Sequence, residues 1–315
     1  MLGTNYHTHN RWCDGEGEIE EVVRAALDAG LRQVGISSHA PVPFPTAYAL
    51  PLESLAGYRA EVLRVREQYR DRITVWLGLE LDALPELAGY NRWLSDERRA
   101  MSDERPRPDS SLSTHRSALH GGFEYCLGSV HFLGRDDDGM PWPLDESDER
   151  FAALLAARYG GDIRILVEHY YRLIAGLGSY PGVDVVGHLD RGAVLWNAGG
   201  RYFDEDAPWY RAAVERALRA LAAAGKIVEL STGGWRRGLG APFPAPWILR
   251  RCRDLGIRVT PCTDAHHPEQ IAYRYADALA LLRETGYREV AVLDPESGRW
   301  VVEALPEAAR SAARA

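Results

Sequence analysis

Apolar and polar positions alternate along the chain in two rhythms, which predict short strands separated by amphipathic helices. Residues 19–29 (IEEVVRAALDA) carry apolar side chains at helical spacing, Gly30 ends this pattern, and QVGIS follows as a buried strand. The same order recurs: helices predicted at 52–69, 209–224 and 246–255 precede the strands ITVWLGLEL, KIVELS and IRVTPCTDA. Such alternation predicts a parallel sheet, which is either open or closed into a barrel.

Two segments depart from this alternation. Residues 85–122 are polar and rich in Pro and Ser (ERPRPDSSLSTHRS), which predicts a surface excursion, either a lid over a site or a disordered insertion. Near the end of the chain, REVAVLDPESGRWVVEAL predicts a β-hairpin that turns at residues 295–298. The final stretch, EALPEAARSAARA, predicts a frayed helix.

Composition and charge narrow the class of protein. The 315 residues include 37 basic and 45 acidic side chains, so the net charge is −8, which argues against a general nucleic-acid binder. With 46% hydrophobic residues, the chain can bury a large core without disulfides, and disorder of the whole chain is excluded. No run of 18 apolar residues and no signal peptide are found, so we expect a cytoplasmic protein without a membrane partner. The oligomeric state cannot be predicted from these features.

Histidines and carboxylates lie at the ends of the predicted strands. His7 and His9 are two residues apart in the first strand, so both side chains point to the same face, and Asp264 and His266 repeat this spacing. Further strand ends carry His39, Glu80, His131 and His188. The carboxyl ends of the strands of a parallel barrel meet at one rim, where we expect these side chains to converge.

A cluster of this kind predicts a metal centre. A single histidine at a strand end is most often a structural residue, but so many imidazoles and carboxylates would be unsatisfied together in a dry core, whereas divalent cations satisfy them all. With Asp14 added, the candidates suffice for two or three ions, and His with carboxylate suits Zn, Fe or Mn alike. His115, His120 and His169 are interpreted as structural residues, and His267 is left out of the set because it would point away from its neighbour.

The ordered motifs YHTHN, DG, SSHAP, LGLELD, GSVHFL, GHLD and TDAH resemble the PHP (polymerase and histidinol phosphatase) family. The resemblance implies an α/β fold, a single distorted (β/α)7 TIM-like barrel over residues 1–315, with a trinuclear metal site at its C-terminal rim. The metal ligands that it implies are His7, His9, Asp14, His39, Glu80, His131, His188, Asp264 and His266.

The GHLD setting of His188 is similar to the phosphatase branch of this family. The resemblance therefore implies a phosphomonoesterase that hydrolyses L-histidinol phosphate to L-histidinol and phosphate in histidine biosynthesis, by metal-bound hydroxide. Arginine pairs well with phosphate oxygens, so Arg191, Arg236 and Arg237 are the candidates for substrate binding. The chain departs from the family at Val194, where members often carry a basic residue.

The leaving alkoxide needs a proton or a cation. Asp190 and His39 are the candidates for a catalytic acid, and the sequence does not choose between them.

Alternative functions stay open at this point. A PHP phosphoesterase could act on a different phosphate ester, such as a nucleotide or phosphotyrosine. A non-catalytic metal-binding PHP domain is disfavoured because all nine motif positions keep side chains that can bind metal. An amidohydrolase would need a bridging lysine, and Lys226, the sole lysine, begins a predicted strand instead of ending one.

Overall fold

The computed structural model describes residues 2–91 and 122–305, with the side chain of Leu2 left out. Most of the predicted excursion at 85–122 and most of the predicted terminal helix lie outside these residues. The strands are β1 Leu2–Asn5, β2 Leu31–Ile36, β3 Thr74–Asp82, β4 Tyr125–Ser129, β5 Phe132–Arg135, β6 Pro141–Pro143, β7 Val185–Val186, β8 Ile227–Ser231, β9 Arg258–Cys262, β10 Glu289–Leu293 and β11 Trp300–Ala304.

Seven strands form one parallel sheet in the order β1-β2-β3-β4-β7-β8-β9. The sheet curls until its first and last strands meet at a single bridge between Thr8 and Ala265, where the N–H of His9 donates to the carbonyl of Ala265 at 2.7 Å. The sheet is therefore a nearly closed parallel barrel. This confirms the predicted fold class and decides between the open and closed alternatives.

Helices connect the strands and cover the outside of the barrel. They comprise Ile19–Asp28, Leu55–Tyr69, Asp148–Tyr159, Ile163–Gly176, Arg191–Val194, Pro208–Ala223, Gly233–Arg236, Pro246–Asp254 and Tyr275–Glu284, with 3-10 turns at Leu52–Ser54, Pro85–Leu87, Ala198–Gly200 and Pro268–Gln270. All four helices predicted from periodicity are confirmed within a few residues of their ends. None of the helices in the described ranges has the length and apolar character needed to cross a bilayer.

The first helix shows how the sequence sets these elements. Ile19, Val22, Val23 and Ala26 form its buried stripe, at the spacing that places residues on one helical face. A capping box at its start satisfies backbone N–H groups that have no partner inside the helix. Gly30 follows with φ +77°, a left-handed conformation that favours glycine, and the chain then enters β2.

The barrel interior is filled by an apolar cluster to which β1, β3, β4, β7, β8 and β9 each contribute a residue in or just beside the strand. Tyr125 lies at its centre and donates a hydrogen bond to the carbonyl of Tyr6 at 2.6 Å. A Cβ atom on Gly35 or Gly78 would lie within 2.4 Å of the Tyr125 side chain, so both glycines make room for the ring. The antiparallel hairpin of β10 and β11, predicted from sequence, packs on this cluster through Ala291 and Leu293.

A second hairpin, formed by β5 and β6, begins immediately after His131. The sequence patterns did not predict it. Its residues lie beside the carboxyl ends of the barrel strands and supply part of the wall of the cavity described below.

Candidate metal centre

The predicted cluster assembles at the carboxyl ends of the barrel strands. His7 and His9 follow β1 and are almost fully buried. Asp264 and His266 follow β9, across the bridge that closes the barrel. Oδ1 of Asp264 lies 3.5 Å from Nε2 of His7 and 3.3 Å from Nε2 of His9. The first and last strands of the sheet thus contribute side chains to the same site.

Glu80 occupies the centre of the cluster. It lies in β3, is 1% exposed, and directs both carboxylate oxygens at imidazole nitrogens. The distances from Oε2 are 3.2 Å to His7 Nε2, 3.4 Å to His9 Nε2 and 3.1 Å to His39 Nδ1, and those from Oε1 are 3.1 Å to His188 Nε2 and 3.5 Å to His131 Nε2. One carboxylate therefore faces five imidazoles, as a bridging ligand would.

Asp14 lies at the outer edge of the cluster and is its most exposed carboxylate, at 34% of the side chain. Its oxygens lie 3.6 Å from Nε2 of His39 and 3.7 Å from Nε2 of His266. The structure thus brings all nine predicted ligands together. They form four overlapping groups: His9, Asp14, His39 and His266; His7, Glu80 and His188; His7, His9 and Asp264; and His39, Glu80 and His131.

The hydrogen bonding of these side chains tests whether they fit metal ions. Within the described residues, five buried atoms of the cluster have no hydrogen-bond partner: His7 Nε2, His9 Nε2, His39 Nδ1, Glu80 Oε2 and Asp264 Oδ2. Buried polar atoms without partners destabilise a fold, and divalent cations would satisfy these atoms together. The donor set of imidazole and carboxylate fits Zn, Fe or Mn.

Electrostatics favour the metal-binding protonation state for part of the cluster. Burial lowers the pKa of both His9 and His39 to about 3, so their imidazoles are neutral near pH 7. Burial alone would raise the pKa of Glu80, but His7 and other imidazoles outweigh it and lower that pKa well below the usual value. Nearby carboxylates outweigh burial at two other positions and raise the pKa of His7 and that of His131, the latter to about 9. Neutral imidazoles and ionised carboxylates are the forms that ligate metal.

Two carboxylates that the sequence analysis did not single out hold ligand imidazoles in place. Oε1 of Glu229, in β8, lies 2.8 Å from Nδ1 of His7, and its Oε2 accepts a hydrogen bond from the backbone N–H of His188 at 2.6 Å. Oδ1 of Asp82 lies 2.7 Å from Nδ1 of His131. Carboxylates in these positions fix the imidazole tautomer and direct Nε2 into the cluster. Glu229 lies in a predicted strand and Asp82 directly follows one, which was the available signal.

Asp82 is itself held by a residue of the loop that follows His39. The hydroxyl of Tyr48 donates to Oδ2 of Asp82 at 2.6 Å, and the Tyr48 ring packs edge-on against His39 with centroids 4.7 Å apart. Tyr48 also lines the cavity above the cluster. The loop that borders the cavity is therefore tied to the side chains at its floor.

A cavity of about 520 Å³ opens above the cluster. Arg191 and Arg237 line it, and the proximity of Arg191, followed by burial, lowers the pKa of Arg237. Arg237 forms no ion pair within the described parts of the chain. Two arginines that face each other beside a metal-ligand cluster form a place where a phosphate group would be neutralised.

Arg236 has a different position from the other two arginines. It does not line this cavity, and it donates to the backbone carbonyls of Thr263 and Asp264. Asp264 adopts φ +51°, a left-handed conformation that is uncommon for residues other than glycine. Arg236 therefore supports the turn that directs Asp264 into the cluster.

The two candidates for a catalytic acid lie in different surroundings. His39 is part of the cluster, whereas Asp190 is fully buried and lines a separate cavity of about 380 Å³. Oδ2 of Asp190 accepts the backbone N–H of Ala245 at 2.8 Å, and burial raises the pKa of Asp190 to about 8. The acid role of either residue stays a prediction.

The remaining histidines lie away from the cluster where the structure describes them. Nδ1 of His169 lies 2.8 Å from the hydroxyl of Tyr159, and Nδ1 of His267 accepts the backbone N–H of Glu269. Lys226 donates to the carbonyl of Val183 at 2.5 Å, beside the start of β8. His115 and His120 lie outside the described residues.

Comparisons with known proteins agree with this geometry. A family model described as the PHP domain matches residues 5–233. A Deinococcus radiodurans protein named as a probable histidinol-phosphatase is 31% identical over 90% of this chain and 94% of its own length. The histidinol-phosphatase of Bacillus subtilis is 25% identical over 85% of this chain and 95% of its own length.

A solved structure shares the fold. The histidinol phosphate phosphatase of Lactococcus lactis, crystallised with zinc, L-histidinol and phosphate, superposes with a TM-score of 0.67. The match covers 95% of this chain and 98% of that one, at 19% identity. At this level of identity, the superposition shows that the two proteins share the barrel fold.

Proposed function

This chain belongs to the PHP domain family, and from that premise we propose that it is a metal-dependent phosphomonoesterase which hydrolyses L-histidinol phosphate to L-histidinol and inorganic phosphate. The observation that carries the proposal is the placement of a cluster with unsatisfied metal-binding atoms directly beneath a cavity lined by Arg191 and Arg237. The relatives named as histidinol-phosphatases support the choice of substrate.

The arginines and the metal-binding side chains have different roles in the reaction. A phosphate monoester dianion repels an anionic nucleophile, so its oxygens must be neutralised before attack. Arg191 and Arg237 would bind those oxygens from the side of the cavity, and the imidazoles and carboxylates of the cluster would hold the ions at its floor. When bound, the ions supply positive charge at the phosphoryl group and a hydroxide nucleophile at neutral pH.

The nine residues would hold two or three divalent ions, with Glu80 at the centre of the set because both of its oxygens face imidazoles. Zn, Fe and Mn all suit this donor set. We further propose that residues 1–315 form a single PHP domain, since the ligands come from both ends of the barrel sheet.

Phosphate release from a panel of esters tests the function. Protein loaded with Zn, Mn or Fe should hydrolyse L-histidinol phosphate with a far higher kcat/KM than p-nitrophenyl phosphate, a nucleoside monophosphate or phosphotyrosine. Metal analysis of the protein, purified without added metal, gives the identity and number of ions. Comparable rates on all four esters would contradict the assigned substrate, and no turnover of any ester by metal-loaded protein would contradict the enzymatic function.

A further inference from the structure

Asp145 lines the cavity and contacts Arg191, and its carboxylate is close enough to His131 to interact with it electrostatically. Nη2 of Arg191 is 2.5 Å from Oδ2 of Asp145, and the two side chains are 10% and 19% exposed. Burial alone would raise the pKa of Asp145, but the charges of Arg191, His131 and Arg237 outweigh it and lower the pKa. A carboxylate at this position is ionised, and part of it faces the cavity.

A carboxylate beside a phosphate site weakens phosphate binding, so its presence calls for an explanation. It repels the phosphate dianion that Arg191 and Arg237 attract, and an arginine could be oriented by a neutral acceptor instead. The repulsion becomes useful if the substrate brings a positive charge next to its phosphate. L-Histidinol phosphate, the substrate on which this inference rests, has an ammonium group separated from the ester oxygen by only two carbon atoms.

The other carboxylates in the described lining of the cavity form no ion pair with Arg191 or Arg237. Asp14 faces the imidazoles of the metal centre. Asp136 accepts two backbone N–H groups of its own hairpin loop, at 2.8 and 3.1 Å. Glu146 is 57% exposed and lies 3.5 Å from Nε of Arg150. Asp145 alone among these four contacts an arginine of the phosphate site.

We propose that Asp145 is the specificity-determining residue that binds the ammonium group of the substrate while it orients Arg191 toward the phosphate. With the phosphate held by Arg191 and Arg237, the short spacer places the ammonium beside this carboxylate. An ester that lacks the ammonium brings no positive charge of its own to Asp145, so the carboxylate only repels the phosphate of that ester. The preference therefore comes both from attraction to the ammonium and from repulsion of other esters.

Kinetics on two esters separate the roles of Asp145. The substrates are L-histidinol phosphate and its deamino analogue, 3-(imidazol-4-yl)propyl phosphate, and the variants are Asp145→Asn and Asp145→Ser. Wild-type protein should prefer the ammonium ester by roughly 10- to 100-fold in kcat/KM, the range expected for a charged hydrogen bond. Both variants should lose most of that preference. Disorientation of Arg191 would lower kcat/KM for both esters alike and would not change their ratio.

Two further measurements test whether Asp145 binds the ammonium group and whether the variants are intact. The dissociation constant of L-histidinol for the metal-loaded protein should rise about 10-fold or more in Asp145→Asn. Circular dichroism and metal content establish that each variant is folded and loaded. Glu146→Gln, which removes the neighbouring rim carboxylate, is the matched control and should keep the wild-type ratio.

The outcomes distinguish this inference from the proposed function. Wild-type protein that prefers L-histidinol phosphate, together with Asp145 variants that keep the wild-type ratio, would overturn the role of Asp145 alone. Wild-type protein without any preference for L-histidinol phosphate would overturn both.

Discussion

Nδ1 of His7 lies 2.8 Å from Oε1 of Glu229, with both side chains fully buried. The contact fixes a proton on Nδ1 and leaves Nε2, the atom directed at Glu80, free to bind metal. Glu229, in β8, thereby determines which ring nitrogen of His7, just beyond β1, can bind metal.

Replacement of Glu229 should therefore weaken metal binding. In Glu229→Gln the amide would donate to Nδ1 of His7 and shift the ring proton to Nε2, where it blocks coordination. We expect metal affinity to fall about 10- to 100-fold, measured by competition with a chelating dye. Glu215→Gln, which alters an ion pair with Arg251 on the outside of the barrel, is the control and should bind metal like the wild type. Equal affinities for both variants would contradict the role of Glu229.

Removal of the Tyr48 hydroxyl should act on the same centre from the opposite side. Tyr48→Phe leaves Asp82 without one donor, so Asp82 holds His131 less firmly. We expect about 10-fold weaker metal binding, with metal retained after dialysis as the measurement. Tyr69→Phe removes a hydroxyl that donates to Glu20 at 3.0 Å near the surface, and it should retain metal fully. Loss of activity in Tyr48→Phe with unchanged metal content would instead indicate a role in the cavity.

Arg237 and Arg236 should give opposite results although they are adjacent. Arg237→Ala should lower kcat/KM about 100-fold through weaker phosphate binding, with unchanged metal content and melting temperature. Arg236→Ala should lower metal affinity, because the turn at Asp264 loses two donors. Steady-state kinetics and metal analysis of both variants check the assignment. A normal kcat/KM in Arg237→Ala would remove Arg237 from the phosphate site.

Asp190 predicts a pH-dependent change in stability. Its pKa is about 8 in the folded protein and about 4 when unfolded, so between these values the unfolded chain loses a proton that the folded protein keeps. The shifted pKa of Asp190 therefore leaves the free energy of unfolding unchanged below pH 4. As the pH rises to 8, it lowers that free energy progressively, by up to about 5 kcal/mol. Asparagine does not titrate, so Asp190→Asn should gain stability relative to wild type over this range.

Urea unfolding of the metal-free proteins at pH 5 and pH 8 measures that difference. A constant difference between Asp190→Asn and wild type would show that Asp190 is ionised throughout. The kcat of the same variant tests the acid role independently, since a general acid at this position would be lost with the carboxyl group.

Much of the metal centre can be predicted from the sequence, because a local pattern shows where each strand ends. Each of Glu80, His131 and His188 ends or follows a predicted strand, and the carboxyl ends of parallel strands share one rim. Spacings of two residues placed His7 with His9, and Asp264 with His266, on one face. None of this required knowledge of which strands are neighbours.

The supporting contacts could not be predicted in the same way. Glu229 has the same strand setting as Glu80, but its partner His7 is 222 residues away along the chain, and no local pattern states that pairing. The hairpin that shortly precedes Asp145 was missed because prolines at both ends of β6 disguise a short strand. Arg236 and Arg237 could not be distinguished because their different contacts depend on how the short helix Gly233–Arg236 lies against the β9 turn.

The bridge between Thr8 and Ala265, which closes the barrel, has a consequence for how the protein is made in the cell. The metal ligands beside this bridge are among the first and the last residues of the barrel to be synthesised. A nascent chain therefore lacks Asp264 and His266 until the last strand of the barrel sheet has been synthesised. Loading with the full set of ions therefore follows translation of the final barrel strand, and the ions would then join the first and last strands of the barrel sheet.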